Sequence, residues 1–553
     1  MPNKVFGVDL GTTYSVIAHV DEFGRPVVVP NADSQPTTPS VVLFASPSEV
    51  VVGMQAKRQS RVRPDEVASL VKRHMGDGGW RFRAHGQDYS APAVASQVIA
   101  ELAAGATRAT GEAVHDVVVT VPAYFGDEER KATKLAGELA GLNVVDIINE
   151  PTAAAFAYGF GQQGAASETV LVYDLGGGTF DSTVISLSER RIDVIATDGD
   201  HELGGADWDE RLVQHLSQQF QEAQPQAGDP LDDSYATQDL LGMAEETKQA
   251  LSGRETAEAF VFYNGGRAAV TVTRAQFEEL TASLLERTIE LTRRVFAAAQ
   301  GKGVTTIDRV LLVGGMSKSP AVARRLNEEF GFTCQLADPD LAVAKGAAIY
   351  GQKKELEAFV ISDLVARGVL AEGQSLDQAR PVDLHKAVAS TAEAYGLPST
   401  AVDELVATQV SNVTSRGFGL EIQRENSEDK YVTFLAHAND TLPIVAEETF
   451  GTVVDDQHAV QVKVMEQATA DECDRVEDNK VVIEGMINGL PPGFPRGTPV
   501  DVRFTMQRDQ TIEVTARHPG ATEPLVLRVE AGVSSDRMRQ EERDKVDMLK
   551  RRG

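Results

Sequence analysis

The tightest constraint on the fold of this chain is a pattern that occurs twice. VFGVDLGTTYSVI (5–17) and LVYDLGGGTFDSTVI (171–185) each carry a strand-like apolar run, an aspartate, a glycine turn, hydroxyl residues and a second apolar run. Their aspartates, Asp9 and Asp174, lie 165 residues apart. Such self-similarity points to two related lobes. Between and after the repeats, short β-branched runs such as Val117–Val121, Val170–Tyr173 and Val310–Val313 alternate with helical patterns over Asp127–Ala140, Ala206–Gln219 and Arg274–Ala299. That alternation predicts an α/β architecture over residues 1–350.

The repeats also carry chemistry. In Asp9-Leu-Gly11-Thr12-Thr13 a strand delivers a carboxylate to its end, and Gly11 opens a tight turn with exposed amides and two hydroxyls. Backbone N–H groups and hydroxyls converging in this way bind phosphate oxygens. Taken alone, the segment reads equally as an ordinary strand and turn. In Asp174-Leu-Gly176-Gly177-Gly178-Thr179-Phe-Asp181 three glycines allow an approach that any Cβ would block. Its flanking carboxylates suit a hydrated magnesium ion, a hard cation that keeps several waters. A third turn, Gly314-Gly315-Met316-Ser317-Lys318, follows an apolar strand and, with Asp340, could enclose a nucleoside. The chain has no Walker-type P-loop and no dinucleotide fingerprint after its first strand.

Three strand–glycine phosphate loops duplicated over two lobes resemble the actin-like ATPase superfamily. VFGVDLGTTYSV, VVVTVPAYFGDEER, INEPTAAAFAYG, DLGGGTFDSTV, DGDHELGGADWDERL and VLLVGGMSKSP are similar, in family order, to signature segments of the seventy-kilodalton heat-shock chaperones. Residues 411–535 are similar to that family's peptide-binding β-domain through TFGTVVDDQHAVQVKVMEQ, GLPPGFPRGTPVDVRF and TIEVTARH. The resemblance implies an ATP-dependent chaperone that hydrolyses ATP to ADP and phosphate and binds extended apolar peptides. Its cofactors would be ATP or ADP and magnesium, with potassium as an additional ion. Its partners would be unfolded polypeptide clients, a J-domain co-chaperone and a nucleotide exchange factor.

Residue by residue, the resemblance places Asp9, Glu150, Asp174 and Asp181 around the metal, mostly through water. It places Thr12, Thr13, Thr179 and the loops at Gly11, Gly176–Gly178 and Gly204–Gly205 on the phosphates. Lys72 would position the attacking water. Glu245, Lys248 and Ser252 share one helix face by their spacing, and the resemblance assigns them to the adenosine with Gly314, Gly315, Lys318 and Asp340. Pro122 and Arg130 match the interdomain switch. Leu420, Phe450, Val460, Val462 and Val500 match positions lining the peptide slot; read as bare strand residues they are equally core.

The resulting layout is an actin-like nucleotide-binding domain at 1–350, a helical insertion or linker at 351–410, an all-β sandwich at 411–533 and a short C-terminal helix at 534–553. That last helix would be only the start of the family's helical lid, and peptide exchange would then be fast. Pro381 is placed in a helix's first turn and Thr400–Asp403 in a capping box. Several positions depart from the family. The linker stretch Thr408–Asn412 is polar, predicting weak docking in an apolar crevice. Lys318 replaces an arginine that would stack on the base, Gln249 stands at a second adenine-facing position, and Gln510 replaces a turn glycine.

Composition limits the partners. The chain has 553 residues with 53 Lys+Arg against 82 Asp+Glu, a net charge of −29. This argues against nucleic acid or an anionic membrane, which need clustered cations. Two cysteines, Cys334 and Cys473, cannot form a disulfide framework. With no basic start followed by an apolar run and no 18-residue apolar stretch, the expectation is a cytoplasmic protein. An alternative is an ATP-dependent regulatory or scaffold protein that recognises one partner, without general chaperone activity.

Overall fold

A computed structural model gives the fold and describes residues 4–159, 167–188, 190–424, 427–469, 471–508, 510–529 and 536–551. The first lobe is built on β1 (Val5–Asp9), β2 (Tyr14–Val20), β3 (Pro26–Val28), β4 (Asp116–Val121) and β5 (Asn143–Asn149), in the order β5-β4-β1-β2-β3. Its helices include α1 (Ala91–Thr110), α2 (Asp127–Leu139) and α3 (Glu150–Gly159). The second sheet uses β6 (Glu168–Leu175), β7 (Phe180–Ser188), β8 (Arg191–Asp200), β9 (Arg309–Val313), β10 (Cys334–Leu336) and β11 (Gln409–Ser411), in the order β10-β9-β6-β7-β8-β11.

The two sheets are the repeat made visible. β1 runs antiparallel to β2 and parallel to β4; β6 runs antiparallel to β7 and parallel to β9. Both central strands carry their aspartate to the same end. Runs such as DVVVTV and RVLLV are buried nearly throughout, as strands covered on both faces must be.

The second lobe adds α4 (Gly205–Ala223) and α5 (Ser234–Gly253). The predicted helix over Arg274–Ala299 is broken into Arg274–Leu280 and Ala282–Gly301, with Thr281 between them.

The expected junction at 350/351 does not coincide with a break. It falls inside α6 (Ala342–Ala366), which continues into α7 (Pro381–Tyr395) and α8 (Ser399–Ala407). These helices bury Leu356, Val360, Leu364, Ala387, Val388, Val402 and Leu405 in one core with Val5 and Val16 of the first sheet and Val170 and Val172 of the second. The segment is helical as expected, but it packs into the core shared by the two lobes instead of standing as a separate insertion. Pro381 does begin α7. The capping box at Thr400–Asp403 does not form; α8 starts at Ser399 after Pro398, without a side-chain cap.

Glycine permits α6 to lie this deep. A Cβ on Gly7 of β1 would sit 2.2 Å from the Ala348 nitrogen, and one on Gly346 would sit 1.6 Å from the Ala153 carbonyl of α3. Backbone touches backbone at both points.

The predicted all-β domain is a sandwich of two four-stranded sheets. Its strands are β12 (Phe418–Gln423), β13 (Lys430–Ala436), β14 (Ile444–Gly451), β15 (Ala459–Gln467), β16 (Asn479–Asn488), β17 (Pro499–Met506), β18 (Ile512–Arg517) and β19 (Leu525–Val529). The sheet orders are β13-β12-β15-β16 and β14-β17-β18-β19. Gln510 adopts φ 66, the left-handed conformation that its place in a glycine-type turn demands.

The expected boundary at 533/534 falls outside the described residues. Within the expected helix at 534–553, α9 (Asp536–Val546) ends early and Lys550–Arg551 pairs in parallel with the strand Glu49–Val52; residues 534, 535, 552 and 553 are not among the described residues. α9 lies on the first lobe, where buried Glu542 accepts from the Ser90 hydroxyl at 2.6 Å. No helix among the described residues is long and apolar enough to cross a membrane.

The α3–α6 contact yields the first prediction. Gly346→Ala should lower the denaturant midpoint of the two-lobed body by the equivalent of about 3 kcal/mol, the upper end of ordinary overpacking costs. An unchanged midpoint would contradict the close approach.

Candidate active site

The ends of β1 and β6 meet across a cleft between the lobes. Asp9 ends β1, and its Oδ1 accepts from the Thr120 hydroxyl of β4 at 3.1 Å. Glu150 opens α3 and is buried; the equally buried Lys72 donates from Nζ to its Oε1 at 2.5 Å. Lys72 rides on a short turn, Val71–His74. Asp174 comes from β6 and Asp181 from β7, where Asp181 Oδ1 accepts from the Ala123 amide at 3.0 Å.

The two glycine loops interlock. A Cβ on Gly177 would lie 2.0 Å from the Thr13 hydroxyl oxygen, and one on Gly178 would lie 2.2 Å from the Thr12 methyl carbon. The loop is stapled to α4, since the amides of Gly205 and Ala206 donate to the carbonyls of Gly176 and Gly177 at 2.9 and 2.8 Å. Gly176 N–H in turn donates to the Thr179 carbonyl at 3.0 Å. Gly204 packs so tightly on Gly178 that a Cβ would meet its backbone at 2.5 Å. The site therefore unites Gly11–Thr13 of one lobe with Gly176–Thr179 and Gly204–Gly205 of the other.

Electrostatically the cleft is short of positive charge. Burial, then Glu150, push the Asp9 carboxyl up to about 7 despite Lys72 and Thr120. Burial, then Glu150 and Asp9, hold Asp174 well above the usual carboxylate range. Burial, then Glu150 and Asp174, do the same to Asp181. Burial alone would lower the Lys72 pKa, but Glu150 and Asp9 overcome it and raise the value. Four acids against one ammonium leave an uncompensated negative field.

The nucleoside-side residues divide into pairs. Lys318 and Asp340 form an ion pair beside the third loop. Gly314 has φ 82, and a Cβ there would strike Asp174 Oδ1 at 2.5 Å, so this loop touches the acid cluster directly. Lys248 binds Asp209 at 2.6 Å and the Gly205 carbonyl at 2.8 Å. Ser252 only back-bonds to the Lys248 carbonyl at 3.4 Å. Glu245 accepts from Lys57 Nζ at 2.8 Å and from the Tyr14 hydroxyl at 3.1 Å, bridging the lobes. Lys57, Tyr14, Thr120 and Asp209 are site neighbours that sequence reasoning missed, because each pairing spans tens to hundreds of residues. Gln249 reaches Glu245 at 3.4 Å.

Arg130 is no surface charge. It is buried, donating from Nη2 to Asn149 Oδ1 at 2.6 Å and from Nε to the Phe125 carbonyl at 3.0 Å. Burial lowers its pKa to about 10. Pro122 begins the turn that it braces, the Phe125 amide returning to the Pro122 carbonyl at 3.2 Å. This turn faces the sandwich: Glu129 pairs with Arg416 at 3.3 Å, and Glu466 of β15 lies against Gly126. On the other side, Asn439 Oδ1 accepts from the Thr197 amide of β8 at 2.8 Å.

The linker corrects one expectation. Its polar side chains predict poor docking, yet β11 pairs in parallel with the edge strand β8, with Gln409 opposite Arg191 and Ser411 opposite Asp193. Main-chain hydrogen bonds to an open sheet edge need no apolar side chains.

Comparison with known families decides what this assembly is. A family model described as Hsp70 protein matches residues 5–80, 77–381 and 378–551, nearly the whole chain. The chain belongs to the Hsp70 family. Members of that family are, in general, chaperone-type ATPases that bind nucleotide with magnesium.

The residues present fit such an ion. Asp9, Asp174 and Asp181 are hard oxygen donors in excess over cations, and among the described residues the buried Thr12 Oγ1 has no hydrogen-bond partner. Among the described residues no three His, Cys, Asp or Glu side chains converge to ligate one ion directly.

The five residues expected to line a peptide slot in this Hsp70-family chain differ in burial. Leu420, Val462 and Val500 are buried in the sandwich core, while Phe450 and Val460 are half-buried at its margin. Strand alternation turns the first three between the two sheets.

The interdomain contact gives a pH prediction. Burial first, then Glu129 and Asp127, raise the Glu466 carboxyl from 4.5 to about 7, against the pull of Arg416. The docked state therefore holds a proton that the undocked state releases. Docking is strongest at low pH and weakens as pH rises from about 4.5 through about 7. Energy transfer between labels on the two domains should report tenfold or greater weakening over that window, roughly what more than one pKa unit implies. Glu466→Gln should abolish the dependence; a slope that persists in that variant would refute it.

Proposed function

We propose that this protein hydrolyses ATP to ADP and phosphate with magnesium and couples turnover to the binding of extended apolar peptide segments by its sandwich. The observation that carries this reading is the interlock of Thr12 and Thr13 with Gly177 and Gly178 beside the Lys72–Glu150 pair. The duplicated sheets support an actin-like body over the first 407 residues, through α8.

Magnesium, when bound, would supply the positive charge that the acid cluster lacks. Asp9, Asp174 and Asp181 would hold its hydration shell, and the amides of Gly176, Gly177 and Gly178 would face the phosphate oxygens. Lys72, fixed by Glu150, would orient the attacking water and stabilise charge on the transferred group. Thr12, Thr13 and Thr179 would position the phosphates. Glu245, Lys248, Ser252, Lys318 and Asp340 would enclose the nucleoside.

Coupling would run through two contacts. The Pro122–Arg130 turn touches Arg416 and Glu466, and β11 extends the second sheet into the chain that enters the sandwich. Rotation of one lobe against the other would strain both. Phe450 and Val460 would meet the peptide, with backbone hydrogen bonds giving sequence tolerance. Unfolded clients, a J-domain protein and an exchange factor are the corresponding partners.

Lys72→Ala should lower single-turnover ATP hydrolysis by about a hundredfold or more, the scale of losing one preorganised transition-state donor, with nucleotide affinity changed only slightly. Turnover at the wild-type rate would remove Lys72 from this role.

A further inference from the structure

Lys72 and the loop that would hold the phosphates belong to different lobes, so something must fix one against the other. The turn bearing Lys72 begins at Leu70, whose φ of 56 lies in the left-handed region. A β-carbon residue adopts that conformation only when its surroundings enforce it. Lys72 points to Glu150 in its own lobe, whereas its neighbour Arg73 reaches the opposite lobe.

The guanidinium of Arg73 makes three contacts there. Nε donates to the Gly178 carbonyl at 2.9 Å, Nη2 to Asp207 Oδ2 at 2.5 Å and Nη1 to Asp207 Oδ1 at 3.3 Å. Its side chain is only 15% exposed. Asp207 lies in the first turn of α4 and also accepts from the Gly204 amide at 2.7 Å. α4 in turn holds the glycine loop through the Gly205 and Ala206 amides. The Lys72 turn, the Gly176–Gly178 loop and the start of α4 are thus closed into one hydrogen-bonded ring, with Arg73 as the link across the cleft. Only a planar fork supplies these three donors in fixed directions; an ammonium on a flexible stem cannot.

We propose that Arg73 is a positioning residue that sets Lys72 against the glycine loop, acting through Asp207 and the Gly178 carbonyl. The role rests on the ATPase reading above. Arg73 transfers no proton and meets no reacting atom; it fixes the separation of two groups that must act together. Misplacement on the scale of an ångström is enough to slow chemistry while substrate still binds.

The test is single-turnover hydrolysis at saturating magnesium and ATP, with nucleotide affinity measured separately by a fluorescent ATP analogue. Arg73→Gln and Asp207→Ala should each lower the rate by about tenfold to a hundredfold while affinity stays within about threefold. The double variant should be no slower than the slower single, because both break one ring. Arg73→Lys should remain slow despite its charge. Retained affinity in each variant reports that the cleft has folded. A normal rate in Asp207→Ala beside a slow Arg73→Gln would mean that Arg73 acts on the phosphate itself, and would overturn the proposal. Full activity of Arg73→Lys, or multiplicative losses in the double variant, would overturn it as well. Absence of turnover in the unmodified protein would instead overturn the ATPase reading.

Discussion

Everything in the cleft follows from a charge imbalance. Asp9, Glu150, Asp174 and Asp181 are brought together by two sheets and one helix, and Lys72 is the ammonium that lies among them. Burying acids beside one another costs free energy unless a cation joins them. The fold accepts that cost because β1 and β6 must both end at the same cleft. The acids are therefore held in readiness for added positive charge. The protein's net charge of −29 makes the point general: positive field is supplied locally, by Lys72 and backbone amides, and not by composition.

From that cleft the structure reaches outward by contacts that leave little slack. The glycine loops mesh with the threonines of the opposite lobe, α6 presses backbone to backbone on β1 and α3, and β11 adds an edge to the second sheet. Close-packed contacts of this kind have discrete alternatives and do not stretch. A shift at the glycine loops would be felt at the Pro122–Arg130 turn through Ala123, whose amide holds Asp181. The same turn meets Arg416 and Glu466 of the sandwich. The acid cluster and the sandwich are thus linked through that one segment.

The sequence made some of this legible and hid the rest, for physical reasons. Asp9, Asp174 and their glycine loops could be read because the chemistry is local and occurs twice. The strands around Val117, Val170 and Val310 could be read from β-branched runs. Lys72 and Arg130 carry no local signal, and only resemblance to a family singled them out; the spacing of Glu245 showed a shared helix face but not its role. Arg73, Lys57 and Asp207 stayed hidden because each is defined by a partner far away in the chain. Residues 351–410 announced helices, but a helical pattern cannot say which core its face will join. The linker misled because its polar side chains were weighed, while its docking is a main-chain matter. Leu420, Val462 and Val500 had two readings as strand residues, and register turned them inward.

The claim that joins these parts is that the acid-rich cleft and the sandwich form one coupled machine. The most direct measurement is steady-state ATP turnover with magnesium, with and without a saturating extended apolar peptide. The account predicts magnesium-dependent turnover that rises severalfold when peptide is added. Turnover that peptide leaves unchanged, although the peptide binds, would contradict it.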